Sequence, residues 1–305
     1  MSRPRAFVLL NPAAGRASDP RRLSIARREI AERFDAVETT LDPAGAWKAE
    51  VAAALARGVG TFVAAGGDGT VHALLEALVE LHARPLEELT FGVVALGSSN
   101  DFVKPLRPGD GPVPLRLDAT RATPRDLVRV RFVAPSGERR TSLLAVSASA
   151  GVVAEGNALF DAERRPGGRT GIAIARAALG AIRRHRDFTA RLEHDGTEDV
   201  VRLSSLSVLK SPWLSGALRY DLPVAPDDGL LGVAACVAMG RLRLLATVAG
   251  LLLGRFRGRP GTRSFRTTAL CVRADAPFLL EVDGEVEPVV EASFDLLAWR
   301  IRVCA

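Results

Sequence analysis

The chain has 305 residues, 48% of them apolar, with 41 Lys and Arg against 35 Asp and Glu. That length and apolar content suffice for two packed domains and exclude a disordered chain. The net charge of +6 favours anionic partners, nucleotides or an acidic membrane surface; 5% aromatic residues, basic residues spread along the chain and the lack of a nucleic-acid-binding motif argue against nucleic acid.

Arg3 and Arg5 precede the apolar run 6–10, which Asn11-Pro12 cuts too early for a signal-peptide core, so the run reads as a first strand. Further strands are expected at 36–40, 61–65 and 91–96, alternating with helical patterns at 20–34, 46–57 and 70–82, the sequence sign of a parallel α/β sheet. After the Pro- and Gly-rich segment 106–114 the pattern changes to alternating, β-branched runs. Domains are expected at 1–120 and 121–305, the last strands free to pack back on the first. The second should hold about nine strands, two packed sheets, and two helices at 170–186 and 241–255.

No apolar run reaches the roughly 18 residues of a spanning helix, so no transmembrane segment is expected. Residues 241–259 have a short apolar centre bracketed by Arg241, Arg243, Arg255, Arg257 and Arg259, which reads as an interfacial helix or as a core helix with exposed ends. Arg183-Arg184-His185-Arg186 reads as a solvated helix end or as a contact for anionic headgroups, and Trp47, Trp213 and Trp299 as packing residues. Cys236, Cys271 and Cys304 form no C-x-x-C pair, and His72, His82, His185 and His194 show no metal spacing, which points to a reducing, cytoplasmic setting without zinc.

Three polar loops follow the first, third and fourth expected strands: Asn11-Pro12-Ala13-Ala14-Gly15-Arg16, Gly66-Gly67-Asp68-Gly69-Thr70 and Gly97-Ser98-Ser99-Asn100-Asp101-Phe102. All lie at carboxyl ends of strands, where open α/β sheets place ligands. Phosphoryl transfer needs donors for the phosphates, a divalent cation and a group that orients or deprotonates the attacking hydroxyl. In the second loop the glycines permit close backbone approach to phosphate, the following helix directs its N–H groups at an anion, and Asp68 supplies a carboxylate. Taken singly, each loop also reads as an ordinary turn or N-cap.

Taken in order, Gly66 to Thr70, Gly97-x-x-Asn100-Asp101-Phe102 and Asp283-Gly284-Glu285 resemble the diacylglycerol kinase catalytic-domain superfamily, and more narrowly its small bacterial lipid kinases. The resemblance implies an α/β N-terminal domain like that of NAD kinase and phosphofructokinase, and a β-sandwich-like C-terminal domain. It implies ATP and Mg²⁺ as cofactors, a hydroxyl of diacylglycerol or a related lipid as acceptor, and peripheral work on the inner membrane face; monomer and homodimer both stay open.

By position, the implied nucleotide contacts fall on Asn11, Pro12, Gly15, Thr40, Gly66, Gly67, Gly69, Thr70, His72, Gly97, Ser98, Asn100 and Asp101. The implied catalytic carboxylates are Asp68 and Glu285, the latter as proton acceptor, with Asp126 as a further acid. A structural Mg²⁺ loop would use the Asp228 side chain and the carbonyls of Ala225 and Leu230, although Asp228-Gly229 also reads as a hairpin turn. The sequence departs from the family pattern at Ala95-Leu96 (Pro), Ser98 (Thr), His72 (Asn) and Gly232 (an acid). An NAD kinase, or a lipid- or nucleotide-binding protein without turnover, is the alternative.

Overall fold

The computed structural model describes residues 3–163 and 170–305, with side chains outside 161–174. The chain divides into two compact units, residues 1–127 together with 297–305, and residues 128–296.

The first unit runs β1 (Arg5–Leu10), α1 (Pro20–Arg33), β2 (Asp35–Thr40), α2 (Trp47–Ala56), β3 (Thr61–Gly66), α3 (Asp68–Leu81), β4 (Thr90–Ala95), β5 (Leu115–Arg116) and β6 (Thr123–Arg125). Helix α1 starts cleanly because Asp19 accepts the Arg21 N–H at 3.0 Å and Pro20 supplies a preset φ. Strands β3 and β4 are buried along their whole length, as central strands of a parallel sheet must be, whereas polar β2 forms an edge.

The parallel strands lie in the order β2-β1-β3-β4. Connections therefore run one way from β1 and the other way from β3, which makes the β1/β3 carboxyl edge the topological switch point where such sheets bind ligands. The chain's end returns to this unit: the final strand (Ile301–Val303) pairs with β4 and β6, and Cys304 donates its N–H to the Phe91 carbonyl at 2.9 Å.

The second unit runs β7 (Val128–Val133), β8 (Arg139–Leu144), β9 (Ser147–Gly151), α4 (Val152–Glu163), α5 (Thr170–Arg184), β10 (Phe188–His194), β11 (Thr197–Leu209), β12 (Trp213–Leu214), β13 (Leu218–Arg219), β14 (Leu231–Val237), α6 (Arg241–Leu252), β15 (Thr262–Thr267), β16 (Ala269–Val282) and β17 (Glu285–Leu296). In chain order the final strand is β18. Nine strands of this unit join in one hydrogen-bonded sheet, with β9 paired to both β11 and β16. Register shifts in β11 and β16 relieve the flatness of these long strands. Alternate residues of the sheet, among them Val130, Leu203, Val272, Leu280 and Phe294, converge in one apolar core. The sandwich-like character thus comes from one folded sheet, not from the two separate sheets the alternation predicts.

The unit contains a third helix, α4, that the sequence pattern does not predict. A second apolar cluster, including Ala181, Tyr220, Met239, Leu244 and Phe256, packs α5 and α6 against the sheet. His185 is not solvated as its basic neighbours are: its ring sits between Glu155 and Asp187, with Nδ1 3.0 Å from Glu155 Oε1. Trp47 is buried, but Trp299 is 45% exposed and does not pack as expected. No helix among the described residues is long and apolar enough to cross a membrane.

Candidate active site

The three loops after β1, β3 and β4 meet in the first unit. Asn11 donates its N–H to the Ala65 carbonyl at 2.9 Å and its Nδ2 to Thr70 Oγ1 at 3.1 Å, tying the first loop to the start of α3. Arg16 N–H reaches the Leu96 carbonyl at 2.8 Å, and an added Cβ on Gly15 would lie 3.5 Å from Ser98. Gly67 and Gly97 cross so closely that a Cβ on Gly97 would lie 2.5 Å from the Gly67 Cα, and one on Gly66 would collide with the Thr70 side chain. Gly67 and Gly97 are therefore small because the two loops press on one another, and Gly66 because Thr70 of its own loop packs over it. Gly69, with nothing within 4 Å of a would-be Cβ, is the glycine of the second loop that leaves open space.

Asp68 is the first residue of α3, which begins without a side-chain cap, and its Oδ1 accepts the Phe102 N–H at 3.0 Å. The third loop is wired internally. Asn100 is buried in the left-handed region (φ 53°), its Oδ1 accepting the Gly97 N–H at 2.9 Å and its Nδ2 donating to the Gly97 carbonyl at 3.0 Å. Buried Asp101 pairs with Lys104 Nζ at 2.7 Å. The Arg125 guanidinium lies 3.8 Å from the Phe102 ring centroid and donates to the Phe102 carbonyl at 2.9 Å.

Pro12, Gly15, Ser98 and Thr40 are exposed, Thr40 at the end of β2 opposite Leu10, while His72 is buried on α3 with Nε2 3.9 Å from Glu76 Oε1. Asp126 is buried and receives Arg300 Nε at 2.7 Å, so it fastens the returning C-terminal segment.

In the second unit Asp283 and Gly284 form the two-residue turn of the β16–β17 hairpin, both with positive φ, as a type I′ turn demands. The Asp283 carboxylate accepts three backbone N–H groups, from Ala145 (2.6 Å), Val146 (2.9 Å) and Ser147 (3.0 Å). Glu285 follows as the exposed first residue of β17.

The Asp228 loop holds a cation of its own. Lys210 Nζ donates to Asp228 Oδ1 at 3.1 Å and to the Leu230 carbonyl at 2.8 Å, and Arg266 donates to Asp228 Oδ2 at 2.5 Å. Burial opposes ionisation of Asp228, but Lys210, the Leu230 N–H and the charge of Arg266 outweigh it and hold the carboxyl below its ordinary range. Ala225 sits half-buried at the start of the loop. Among the described residues no group of three or more His, Cys, Asp or Glu is placed to hold a metal ion. In the Asp228 loop, Lys210 takes two of the oxygens, Asp228 Oδ1 and the Leu230 carbonyl, that the implied Mg²⁺ would need.

Residues 5–130 match the diacylglycerol kinase catalytic domain, and residues 146–305, just over half the chain, match the YegS C-terminal NAD kinase beta sandwich-like domain. The chain belongs to the YegS-like lipid kinase family. It is 28% identical to a Xanthomonas campestris pv. campestris protein named "Probable lipid kinase YegS-like" over 262 residues, 83% of this chain and 81% of that one. A protein of the same name from Xanthomonas oryzae pv. oryzae is 44% identical over 86 residues, so the match spans 26% of its length. A Bacillus anthracis diacylglycerol kinase structure is similar with a TM-score of 0.69 at 15% identity, covering 98% of this chain and 96% of that one. Yeast NADH kinase complexed with NADH is similar with a TM-score of 0.52 at 9% identity, covering 100% and 84%. At these identities the two structures bear on the fold alone.

Within this family framework, sequence reasoning missed Asp283 as the anchor of its hairpin, Arg125 under Phe102, and Lys210 in the Asp228 loop. Asp283 carried a signal, since an Asp-Gly pair with an acid side chain left over invites a backbone partner. Lys210 carried none, because its partner lies 18 residues on and one buried Lys in a strand pattern looks like a sheet edge.

Proposed function

We propose that this chain transfers the γ-phosphoryl group of ATP, carried with Mg²⁺, to a hydroxyl of diacylglycerol or a related lipid at a membrane surface. The observation that carries the reading is the place of Asp68: first residue of an uncapped helix, at the switch point of the sheet, beside the open space over Gly69. The first turn of α3 offers N–H groups and the positive end of its dipole to phosphate oxygens. Mg²⁺ that arrives on phosphates needs only one or two protein carboxylates, a number Asp68 can begin to supply, and when bound it neutralises charge on the transferring group.

Asn11, Gly15, Thr40, Gly67, Thr70 and Ser98 border the nucleotide in this reading. Asn100 and Asp101 act one step back, by shaping the loop. Glu285, exposed at the head of β17, accepts the proton of the lipid hydroxyl, and the Asp283 anchor keeps it in place.

The lipid side rests on α6. Its inner face (Leu244, Thr247, Gly250, Leu251) is buried, so it is a packed helix, but Leu242, Leu252 and Leu253 stand 83%, 58% and 72% exposed, with Arg241, Arg243, Arg255 and Arg257 around them. Apolar side chains ringed by arginine suit the interface of an anionic bilayer. Arg259 has another task, donating to the Arg255 carbonyl (3.0 Å) and the Ala246 carbonyl (2.8 Å). Three free cysteines accord with work in a reducing compartment.

The test is to incubate the protein with ATP, Mg²⁺ and a lipid extract, with NAD in a parallel reaction, and to search for phosphorylated products by mass spectrometry. A phosphorylated lipid is expected. Phosphorylated NAD alone would turn the reading to an NAD kinase, and ATP left intact with every acceptor would make the chain a binding protein.

A further inference from the structure

The Asp228 loop is closed by charges that the chain itself provides. Lys210 directly follows β11, and its side chain is fully buried. A buried ammonium must be paired and its donors satisfied. Its Nζ reaches Asp228 Oδ1 and the Leu230 carbonyl, two of the three oxygens that the sequence resemblance assigns to a structural Mg²⁺. Oδ1 also accepts the Leu230 N–H at 3.1 Å, and Oδ2 accepts from Arg266, so both carboxylate oxygens are engaged.

Mg²⁺ requires near-octahedral oxygen ligands at about 2.0–2.1 Å. An ammonium within hydrogen-bonding distance of the same oxygens takes that space and repels a second positive charge. The neighbouring strand supplies no further carboxylate: position 232 is Gly, and a Cβ there would lie 2.5 Å from Val224 Cγ2, so a larger residue would require Val224 to move.

We infer that the Lys210 ammonium stands in for a structural metal ion in this loop, so that the loop folds and holds its shape without Mg²⁺. The hold extends beyond the loop. The Lys210 N–H donates to the Val146 carbonyl at 2.9 Å, and the Val146 N–H donates to Asp283 at 2.9 Å, so the buried cation and the Asp283 hairpin share one backbone segment.

The experiment is thermal unfolding of the full chain without nucleotide or lipid, so it is independent of the proposed activity. Wild type is melted in EDTA and across a millimolar Mg²⁺ titration, alongside Lys210→Met, Asp228→Asn and the double variant. The expected result is one wild-type melting temperature throughout, a loss on the order of 10 °C for Lys210→Met, which takes the buried ammonium from Asp228 Oδ1 and the Leu230 carbonyl, and partial recovery in the double variant, which removes the Asp228 charge together with its buried partner. The wild-type titration needs no variant to fold. A wild-type melting temperature that rises with Mg²⁺, with the rise abolished in Asp228→Asn, would overturn the inference. So would a Lys210→Met protein that melts like wild type.

Discussion

Asp68 and Phe102 are joined across two loops by one hydrogen bond, the Phe102 N–H donating to Asp68 Oδ1 at 3.0 Å. The bond fixes the rotamer of the carboxylate and the third loop at once. Because Asn keeps an oxygen acceptor at that position, Asp68→Asn should preserve the loops and the melting temperature while removing the charge. Lipid phosphorylation should fall by at least about a hundredfold, the scale for a positioned base or electrostatic group. Activity within a few-fold of wild type would take Asp68 out of the chemistry.

The glycines separate into two kinds, and alanine replacement distinguishes them. Gly97→Ala forces a Cβ against the Gly67 backbone and should cost about 1–3 kcal/mol in urea unfolding, with ATP binding impaired because the loops part. Gly69→Ala meets no protein atom, so the fold should be unchanged. If phosphate lies over the start of α3, Gly69→Ala should still weaken ATP binding in calorimetry; wild-type affinity would put the phosphates elsewhere.

Asp283 and Glu285, two residues apart, are expected to fail differently. Asp283→Ala leaves three N–H groups without their acceptor and should destabilise the protein by about 1–3 kcal/mol. Glu285→Gln alters an exposed side chain, so the melting temperature should hold while kcat drops and ATP affinity stays. Loss of ATP binding with kcat intact would assign Glu285 to the nucleotide.

The sequence made the first hundred residues legible almost to the residue because their signals are local: buried runs of four to six apolar residues, an Asp19-Pro20 helix start, and glycines at strand ends; the short β5 and β6 carry no such signal. In the second unit the alternation of Val128, Val130 and Phe132 reveals strands but not their partners, which are set by pairing across up to 168 residues, as between Val128 of β7 and Leu296 of β17. Helix α4 escaped because Gly156 and Asn157 interrupt its apolar pattern. The motif residues Asp68, Asn100 and Asp283 were visible as types in a pattern. Their division of labour was not, since whether an amide faces a ligand or its own loop depends on a φ of 53° at Asn100 that composition does not encode.

Asp110 and Arg116 brace the segment that leaves the third loop: the guanidinium donates to both carboxylate oxygens at 2.9 and 3.1 Å and to the Val103 carbonyl at 3.0 Å. Arg116 first, opposed by burial and aided by the Arg107 N–H, holds the Asp110 carboxyl below its ordinary range. The folded pKa is below the unfolded one, so this stabilisation is complete above the unfolded value of about 3.9 and is lost as pH falls through the folded value. Asp110→Asn should cost about 2 kcal/mol at neutral pH, and its urea midpoint should converge on that of wild type below about pH 4. A gap that persists unchanged into acid would mean that the charge contributes nothing.

The outer face of α6 allows the membrane reading to be tested without touching the core. Leu242 and Leu253 are exposed and support no packing, so replacing both with Ser should leave the melting temperature in place. Arg255 and Arg257 are exposed, whereas Arg259 closes the end of the helix through two backbone carbonyls and must be left alone. At an anionic surface each arginine is worth about 1 kcal/mol, so Arg255→Gln with Arg257→Gln should weaken vesicle binding by roughly 30-fold. The leucine pair should weaken it further, because its loss removes apolar burial that salt does not screen. Wild-type binding should rise with the fraction of anionic lipid and fall with salt, and the salt dependence should be shallower in the arginine pair. Activity on a short-chain lipid dissolved below its aggregation limit should survive in all variants, since none of these residues belongs to the proposed active site. Vesicle binding that is indifferent to both pairs, in proteins that melt like wild type, would mean that lipid reaches this enzyme by another face.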